Sequence, residues 1–392
     1  MRKSLHLMTY ILLFSAVVAF ANERTENNGN LILKNIPLIP ESIEQDLTQY
    51  QNVRSAPFRG FNQEGDEIFI TTRFGNVSQL HRVRKQGGAR EQITFFDEPI
   101  GSISRKPGGT SIAFTMDAGG TENNQIFLLD TNDGSSVMLT DGKSRNGGPL
   151  WEKNGSRIAF QSTRRNGQSN DVWMMDSKDS NSAEMILESP DGTWWGPSDW
   201  SKDGKKILIQ NYISITNSKA YILDVESKKK EMILGSSEIE SYNAILSFDR
   251  SQNGVFFLTN EYGEFNQLAH KDLKTNVVTV LTKDIPWDID GFAISSDHKR
   301  AAFTANEGGM SSLYLMDTAS MKYRKVKSIP IGLVGGTQFS EDGSKLGLTI
   351  NSYQTPSDSY VLDLKNNPLL YGDLNRWTVS EIGGLDVSEF VE

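Results

Sequence analysis

The sequence contains no cysteine among its 392 residues. It therefore has no disulfide bond, no thiolate ligand for zinc, no cysteine nucleophile and no cysteine that could carry a lipid. Without such cross-links, stability must come from buried apolar surface and from the hydrogen bonds of regular secondary structure. A chain of this length can bury enough apolar surface for that purpose.

Positive charge and histidine are also scarce. The chain has 40 lysines and arginines against 49 aspartates and glutamates, a net charge of −9, and its one run of three cationic residues is Lys228–Lys230. An acidic chain without a basic patch is a poor partner for nucleic acid. His81, His270 and His298 are far apart, which does not match the ligand spacing of a metal site. We therefore expect no nucleic-acid partner, no metal and no other cofactor.

The pentapeptide G-x-S-x-G, which places the nucleophile of α/β-hydrolases on a sharp strand-to-helix turn, is absent. The nearest approach, Gly109–Ala113, lacks the final glycine and is predicted to lie on a strand. We therefore predict no catalytic residue and no activity of this chain alone. Asp130–Gly134 and Asp288–Gly291 are acidic, but neither has the ligands of a calcium loop, and both are predicted to be turns.

The N-terminus has the pattern of a signal peptide. Arg2 and Lys3 precede the apolar run Leu5–Phe20, and Ala19–Ala21 is a small-x-small cleavage site. The run is short and polar residues follow it at once, which argues against a membrane span. We expect cleavage after Ala21 and export to the periplasm or the cell exterior, with no membrane attachment of the mature chain. An uncleaved anchor is the alternative.

A repeated unit follows. Each copy has an aromatic or aliphatic anchor before a polar turn, an alternating strand, a strand that ends in aspartate, and a last strand that often ends in Leu-Thr. Trp151–Gly155, Arg157–Ser162 and Val172–Asp176 are one example. Seven copies with four short strands each predict an all-β fold, a seven-bladed β-propeller of four-stranded blades. The anchors lie 42 to 49 residues apart: Phe61, Ile103, Trp151, Trp200, Phe248, Ile294 and Phe339.

The predicted organisation has four parts. Residues 1–21 are the signal peptide, and residues 22–54 are an N-terminal extension whose only plausible helix is 41–49. Residues 55–380 are the propeller, with its last strand predicted at Arg376–Val379. Residues 381–392 are predicted to be a linker. The predicted blades are 55–94, 100–140, 147–188, 194–235, 242–282, 289–329 and 334–380.

Short segments at both ends of the repeat region carry a family signature. They include Ile36–Pro40, Thr72–Asn76, Gln79–Val83 and Trp377–Leu385. These segments resemble the propeller of exported bacterial serine peptidases of the prolyl oligopeptidase family, of the dipeptidyl aminopeptidase and acylaminoacyl-peptidase type. In that family the closing segment leads into an α/β-hydrolase domain with a Ser–Asp–His triad. The resemblance implies that residues 381–392 are a truncated linker towards a hydrolase domain that this chain lacks.

Binding residues are expected on the loops at one rim of the propeller, because such loops usually carry function. Aromatic and charged loop residues are the candidates for contact with a peptide substrate. For the tryptophans, the alternative is that they pack between blades. The candidates are Arg54, Arg73, Arg145, Trp194, Trp195, Glu261 and Trp287.

Three functions remain open from the sequence. The resemblance implies a non-catalytic propeller that gates or selects peptides for a separately encoded α/β-hydrolase domain. The first alternative is a stand-alone, TolB-like periplasmic binding scaffold, or the inactive remnant of a split peptidase gene. The second is a propeller enzyme that uses its own pair of carboxylates. An adjacent reading frame that encodes an α/β-hydrolase without a propeller would favour the first function.

Overall fold

The computed structural model describes residues 23–117 and 119–381. The predicted signal peptide lies outside these residues, and so does the predicted linker beyond Glu381. The chain divides into two units, Met1–Gln51 and Asn52–Glu392, and each is described by itself.

The described part of the first unit, residues 23–51, contains a short hairpin and one helix. Strands β1 (Glu23–Glu26) and β2 (Leu31–Lys34) pair antiparallel around a single 3-10 turn. Helix α1 (Glu41–Gln51) begins directly after Pro40, which suits a helix start, and places Glu41 in its first turn, where a carboxylate is favourable. The helix predicted from residue 41 is therefore present and is two residues longer than expected. The hairpin was not predicted, because strands of four residues with mixed polarity give no clear alternation.

The second unit contains seven four-stranded antiparallel sheets, and each sheet consists of four consecutive strands. The prediction of an all-β, seven-bladed β-propeller is therefore confirmed. Blades 1 to 4 are β3–β6 (Phe58–Phe61, Ile68–Thr72, Gln79–Val83, Arg90–Gln92), β7–β10 (Ile100–Arg105, Ser111–Met116, Gln125–Asp130, Ser136–Met138), β11–β14 (Asn146–Trp151, Arg157–Ser162, Asp171–Asp176, Asp179–Leu187) and β15–β18 (Trp194–Trp200, Lys206–Ser214, Asn217–Asp224, Lys230–Leu234). Blades 5 to 7 are β19–β22 (Asn243–Phe248, Gly254–Thr259, Gln267–Asp272, Val278–Val280), β23–β26 (Ile289–Ile294, Arg300–Glu307, Met310–Asp317, Lys322–Lys325) and β27–β30 (Leu333–Phe339, Lys345–Ser352, Thr355–Leu364, Tyr371–Arg376).

The first strand of each blade is the innermost. First strands of neighbouring blades contact one another, as β11 does with β7 and β15. All seven carry a register shift against the second strand of the same blade. Such bulges bend and twist a strand, and here they lie along the wall of the central channel. Small residues occupy several of them, such as Gly147, Gly148, Gly335 and Gly336.

The topology gives the propeller two different faces. One face carries the turns between second and third strands and the connections from each blade to the next; we call it the connection face. The opposite face carries the turns between first and second strands and between third and fourth strands; we call it the turn face. Every first strand therefore runs from the connection face to the turn face.

Six of the seven anchors end the first strand of their blade, whereas Ile103 stands two residues before the end of its strand, and the anchors contribute to the packing between blades. Trp200 is 0% exposed. Its indole N–H donates to the backbone oxygen of Leu150 in blade 3 at 3.2 Å, and the Arg157 guanidinium carbon lies 4.9 Å from its ring centroid. Ile103 and Ile294 are half-buried, whereas the other five anchors are buried: Phe61, Trp151, Trp200, Phe248 and Phe339.

The threonine that ends many repeats holds the connection to the next blade. Thr140 Oγ1 accepts the backbone N–H of Ile126 at 3.0 Å and donates to Gln125 Oε1 at 2.7 Å. Thr282 and Gln267 make the same bond in blade 5 at 2.7 Å. The Leu-Thr pattern in the sequence therefore marks a hydrogen-bonded clamp between the fourth strand and the start of the third.

The ring closes between blades 1 and 7 without exchanging a strand. Arg54 N–H donates to the Glu381 backbone oxygen at 2.8 Å, and Glu381 N–H donates back at 3.3 Å. Below this bridge the fully buried Asp358 carboxylate accepts hydrogen bonds from Arg376 Nε at 2.9 Å and Ser380 Oγ at 2.6 Å. The entry and exit segments of the propeller therefore pair with each other at the connection face.

The last strand of blade 7 was predicted wrongly. The strand is Tyr371–Arg376 rather than Arg376–Val379. Thr378 follows the strand and is the clamp residue of this blade, since its Oγ1 accepts the backbone N–H of Ser359 at 2.9 Å. The similarity between Trp377-Thr378 and the Leu-Thr motif is therefore real, but the motif stands just beyond the strand.

The turn predicted at Asp288–Gly291 is also wrong. Asp290 and Gly291 lie inside β23, at the bulge of blade 6. Asp290 Oδ1 accepts the Thr304 hydroxyl at 2.5 Å, which satisfies the polar side chain within the sheet. A bulge and a turn have similar residue preferences, because both accept glycine and a short polar side chain.

Candidate functional site

All seven candidate contact residues lie on the connection face. Each stands in a turn between second and third strands, in a connection between blades, or at the beginning of a first strand. They are spread over the ring, from the closure at blade 1 to the connection between blades 5 and 6. The candidates are Arg54, Arg73, Arg145, Trp194, Trp195, Glu261 and Trp287.

Arg54 and Arg73 lie at blade 1. The Arg54 guanidinium binds Glu381 Oε2 at 2.6 Å and stacks against Phe74, with its central carbon 5.2 Å from the ring centroid. Arg73 is half-buried in the turn that also contains Phe74. A cavity of about 200 Å³ opens beside this turn, lined in part by Phe74 and Gln92. The cavity combines an aromatic wall with polar groups, as small-molecule and peptide sites do.

Arg145 has a fixed backbone and an exposed side chain. Its N–H donates to Thr163 Oγ1 at 3.0 Å, and its backbone oxygen accepts the Thr163 N–H at 3.0 Å. Glu261 is exposed as well and accepts the Ser241 hydroxyl at 3.2 Å. Partial burial, together with the Glu261 carboxylate, raises the pKa of the neighbouring Tyr262. Two groups of opposite charge therefore face solvent on this side of the ring.

The three candidate tryptophans have different surroundings. Trp194 and Trp287 are 37% and 40% exposed, and each presents part of its ring to solvent. Trp195 is only 2% exposed. It packs 5.1 Å from the Tyr221 ring centroid and donates its indole N–H to Asp191 at 3.2 Å. Trp195 is therefore a packing residue between blades 3 and 4 and not an accessible contact. Adjacent residues of a strand face opposite sides, so Trp195 faces the interior where Trp194 faces solvent.

The exposed apolar side chains of the propeller are concentrated on the same face. Among the described residues, only Val277 and Leu370 lie on the turn face, and three more lie on outer strands. Exposed apolar side chains gathered on one face are typical of a binding interface. The connection face carries Phe74, Phe95, Trp194, Tyr212, Ile213, Ile215, Ile239, Tyr262, Trp287, Met310, Ile331, Leu333, Tyr353 and Val379.

Sequence reasoning missed most of these apolar residues. Ile215 and Tyr353 stand at the tips of turns between second and third strands and are 80% and 56% exposed, and Ile331, in a blade connection, is 67% exposed. The available signal was a large apolar residue within a segment that otherwise contains turn-forming polar residues and glycine. Such a residue cannot reach the core from a tight turn, so its presence there indicates an interface.

The three histidines within residues 23–381 are each bound within the fold. His81 is fully buried in β5, with Nδ1 3.0 Å from the Gln79 backbone oxygen, and burial lowers its pKa. His298 is buried in a turn of blade 6. His270 Nε2 lies 3.0 Å from Asp249 Oδ2. Burial alone would raise the pKa of Asp249, but hydrogen bonds, first from His270, outweigh it and hold the value at about 2.

Two further features bear on possible chemistry. Within residues 23–117 and 119–381, no three or more histidine, aspartate or glutamate side chains lie close enough together to hold a metal ion. Over the same part of the chain, no helix combines the length and the apolar character that a membrane crossing needs.

The sequence matches the model of the prolyl oligopeptidase N-terminal β-propeller domain over residues 97–370, well over half of the chain. The chain belongs to this family. The match covers blades 2 to 6 and most of blade 7. Membership of this prolyl oligopeptidase-type propeller in the family therefore rests on its blade repeats and not on a catalytic motif.

Two curated proteins are similar in sequence. An uncharacterized peptidase, YuxL of Bacillus subtilis, is 26% identical over 51% of this chain and 28% of its own length. An uncharacterized protein of Agrobacterium fabrum, Atu1656, is 31% identical over 29% of this chain and 37% of its own length. The matched parts thus span less than a third of the first relative and little more than a third of the second.

Solved structures confirm the fold. A chain from a study of two prolyl endopeptidases and their inter-domain dynamics has a TM-score of 0.70 at 12% identity, over 88% of this chain and 53% of its own. Prolyl oligopeptidase B from Galerina marginata has a TM-score of 0.69 at 11% identity, over 89% and 53%. TolB from Acinetobacter baumannii has a TM-score of 0.50 at 17% identity, over 70% and 67%.

Proposed function

We propose that this propeller covers the active site of a serine peptidase and admits only short peptides to it. The catalytic Ser–Asp–His triad belongs to an α/β-hydrolase domain outside these 392 residues. The propeller contributes a docking surface and a restricted passage, and it takes no part in bond cleavage. The observation that carries the proposal is the apolar connection face.

The position of this apolar surface supports a docked domain. The propeller begins near Arg54 and ends near Glu381, and both residues lie on the connection face. A domain joined to either segment would therefore meet this face first. Apolar residues such as Ile215, Ile331 and Tyr353 would be buried by that domain, which removes unfavourable contact with water.

The passage is the central channel. Its wall is formed by the first strands, and in blades 3 and 7 the bulges of these strands carry glycines, so that backbone and not long side chains borders the space at those points. In this proposal the channel accommodates an extended peptide and excludes a folded protein. Selection by size would then require no specific contact with the substrate side chains.

A stand-alone binding scaffold is the second candidate, favoured by the likeness to TolB. That function also uses a propeller face as an interface. It differs in its partner, which would be a protein without a hydrolase triad. Export to the periplasm is part of both proposals and follows from the N-terminal sequence pattern.

The first test concerns the chain alone. We expect no hydrolysis of chromogenic dipeptide or acyl-amino-acid substrates, and no labelling by a serine-reactive fluorophosphonate, because acyl transfer needs an activated serine, an oriented base and an oxyanion hole. Active prolyl oligopeptidase treated in parallel is the control for the reagent. Labelling of one serine, with activity lost when that serine is replaced by alanine, would refute the non-catalytic role.

A further inference from the structure

An ion pair crosses the channel end at the turn face. Arg105, the last residue of the first strand in blade 2, binds Glu341 in the first turn of blade 7. Blade 1 stands between blades 2 and 7 in the ring, so the two side chains meet in front of blade 1 and not within one blade interface. The Arg105 side chain is 13% exposed and also donates to the backbone oxygens of Lys106 and Gly109 at 3.1 and 3.2 Å.

A second set of contacts continues around the same channel end. Lys153 in blade 3 binds Asp199 in blade 4 at 2.5 Å, and the Asp199 side chain is 7% exposed. The other Asp199 oxygen accepts Ser247 Oγ at 2.9 Å and Phe248 N–H at 3.0 Å, both in blade 5. The Phe248 backbone oxygen lies 3.0 Å from Nδ1 of the buried His298 in blade 6.

These contacts come from six of the seven blades and lie at one level of the fold, where first strands end and first turns begin. Ordinary packing between adjacent blades accounts for the contacts from blade 3 to blade 6. It does not account for Arg105–Glu341, because those two blades are not neighbours. The side chains therefore reach over the channel itself.

We propose that the turn-face mouth of the channel is closed by an ion-paired gate. Arg105 and Glu341 form the contact that spans the mouth, and the hydrogen-bonded network around Asp199 lines its edge. Peptides then pass through the channel to the docked domain only when this pair separates; this last step rests on the proposed function, whereas the closure does not. The pair is partly buried, so we expect it to contribute more than the small stabilisation of a fully exposed pair.

The absence of native cysteine allows a direct test on the full chain. Gln338→Cys places a single thiol on the exposed part of β27, three residues before Glu341. Leu333→Cys places one at the connection-face end of the same strand and is the matched control. The rate of reaction with fluorescein maleimide is measured for each thiol, relative to N-ethylmaleimide, with the gate intact and after Arg105→Ala with Glu341→Ala.

We expect the relative rate at the Gln338→Cys thiol to rise about tenfold when the pair is removed, equivalent to about 1.4 kcal/mol, and the rate at the Leu333→Cys thiol to stay unchanged. The charge-reversed pair, Arg105→Glu with Glu341→Arg, should restore slow labelling. Equal labelling with and without the pair would overturn the proposal.

If the alanine pair fails to fold, the intact protein in low salt and in about 1 M salt, where ion pairs are screened, provides the same comparison. Faster labelling of the Gln338→Cys thiol in salt supports the gate, and no change overturns it. The experiment needs no hydrolase domain, so its failure is distinct from a failure of docking.

Discussion

Replacing Trp200 by alanine is expected to lower the free energy of unfolding by about 3–5 kcal/mol, the range for a large buried aromatic side chain. Trp200 is fully buried where blades 3 and 4 meet, and the substitution removes its packing, the hydrogen bond to Leu150 and the stacking of Arg157. Chemical denaturation followed by circular dichroism measures the change.

Trp194→Ala is the matched control, because it changes the same residue type on the same strand. Trp194 is 37% exposed, and we expect a loss of about 1 kcal/mol or less. If the two variants lose similar stability, Trp200 is not an anchor between blades, and the assignment of the repeat that rests on it is wrong.

Combined replacement of Ile215, Ile331 and Tyr353 by lysine is expected to weaken binding of the hydrolase domain by at least about a hundredfold, equivalent to about 2.8 kcal/mol. Each of these side chains is more than half exposed, so the folded propeller should tolerate the change. In the complex, each lysine would bring an unpaired charge into an apolar interface. Isothermal titration with an α/β-hydrolase domain from the same or a neighbouring reading frame measures the affinity.

Val277→Lys with Leu370→Lys is the control, since these exposed apolar residues lie on the turn face. The control should bind as tightly as the unchanged propeller. Two outcomes contradict the proposed docking: equal binding by both variants, or self-association of the unchanged chain that the connection-face variant abolishes. The second outcome would assign the apolar face to another copy of the chain.

The fold was predictable because each blade needs the same types of residue at equivalent positions of the repeat. An anchor such as Trp151 ends the innermost strand, a glycine with positive φ, such as Gly155 or Gly204, follows in the turn, and the clamp threonine stands at the far end. These positions recur because every blade packs against its two neighbours in the same way. The last strand of blade 7 was misplaced because the Leu-Thr motif was taken as part of the strand, whereas Thr378, like Thr140 and Thr282, stands two residues beyond its strand.

The candidate site was predictable only in part. Loop position placed Arg145, Glu261 and Trp287 together on the connection face, because topology decides which loops share a face. Loop position could not tell which of Trp194 and Trp195 is exposed. Adjacent strand residues face opposite sides of the sheet, and the sequence alone does not show which side is buried. The ion pair between Arg105 and Glu341 could not be predicted from the sequence, because the two residues are 236 positions apart and neither belongs to a motif.

The most direct test of the central claim is the length selectivity of the peptidase with and without this propeller. The hydrolase domain is incubated with a chromogenic dipeptide and with an unfolded polypeptide of about one hundred residues, alone and with a saturating amount of propeller. The account predicts that the propeller lowers cleavage of the long chain by about tenfold or more, while cleavage of the dipeptide is maintained. An unchanged ratio of the two rates, despite measurable binding, would contradict it.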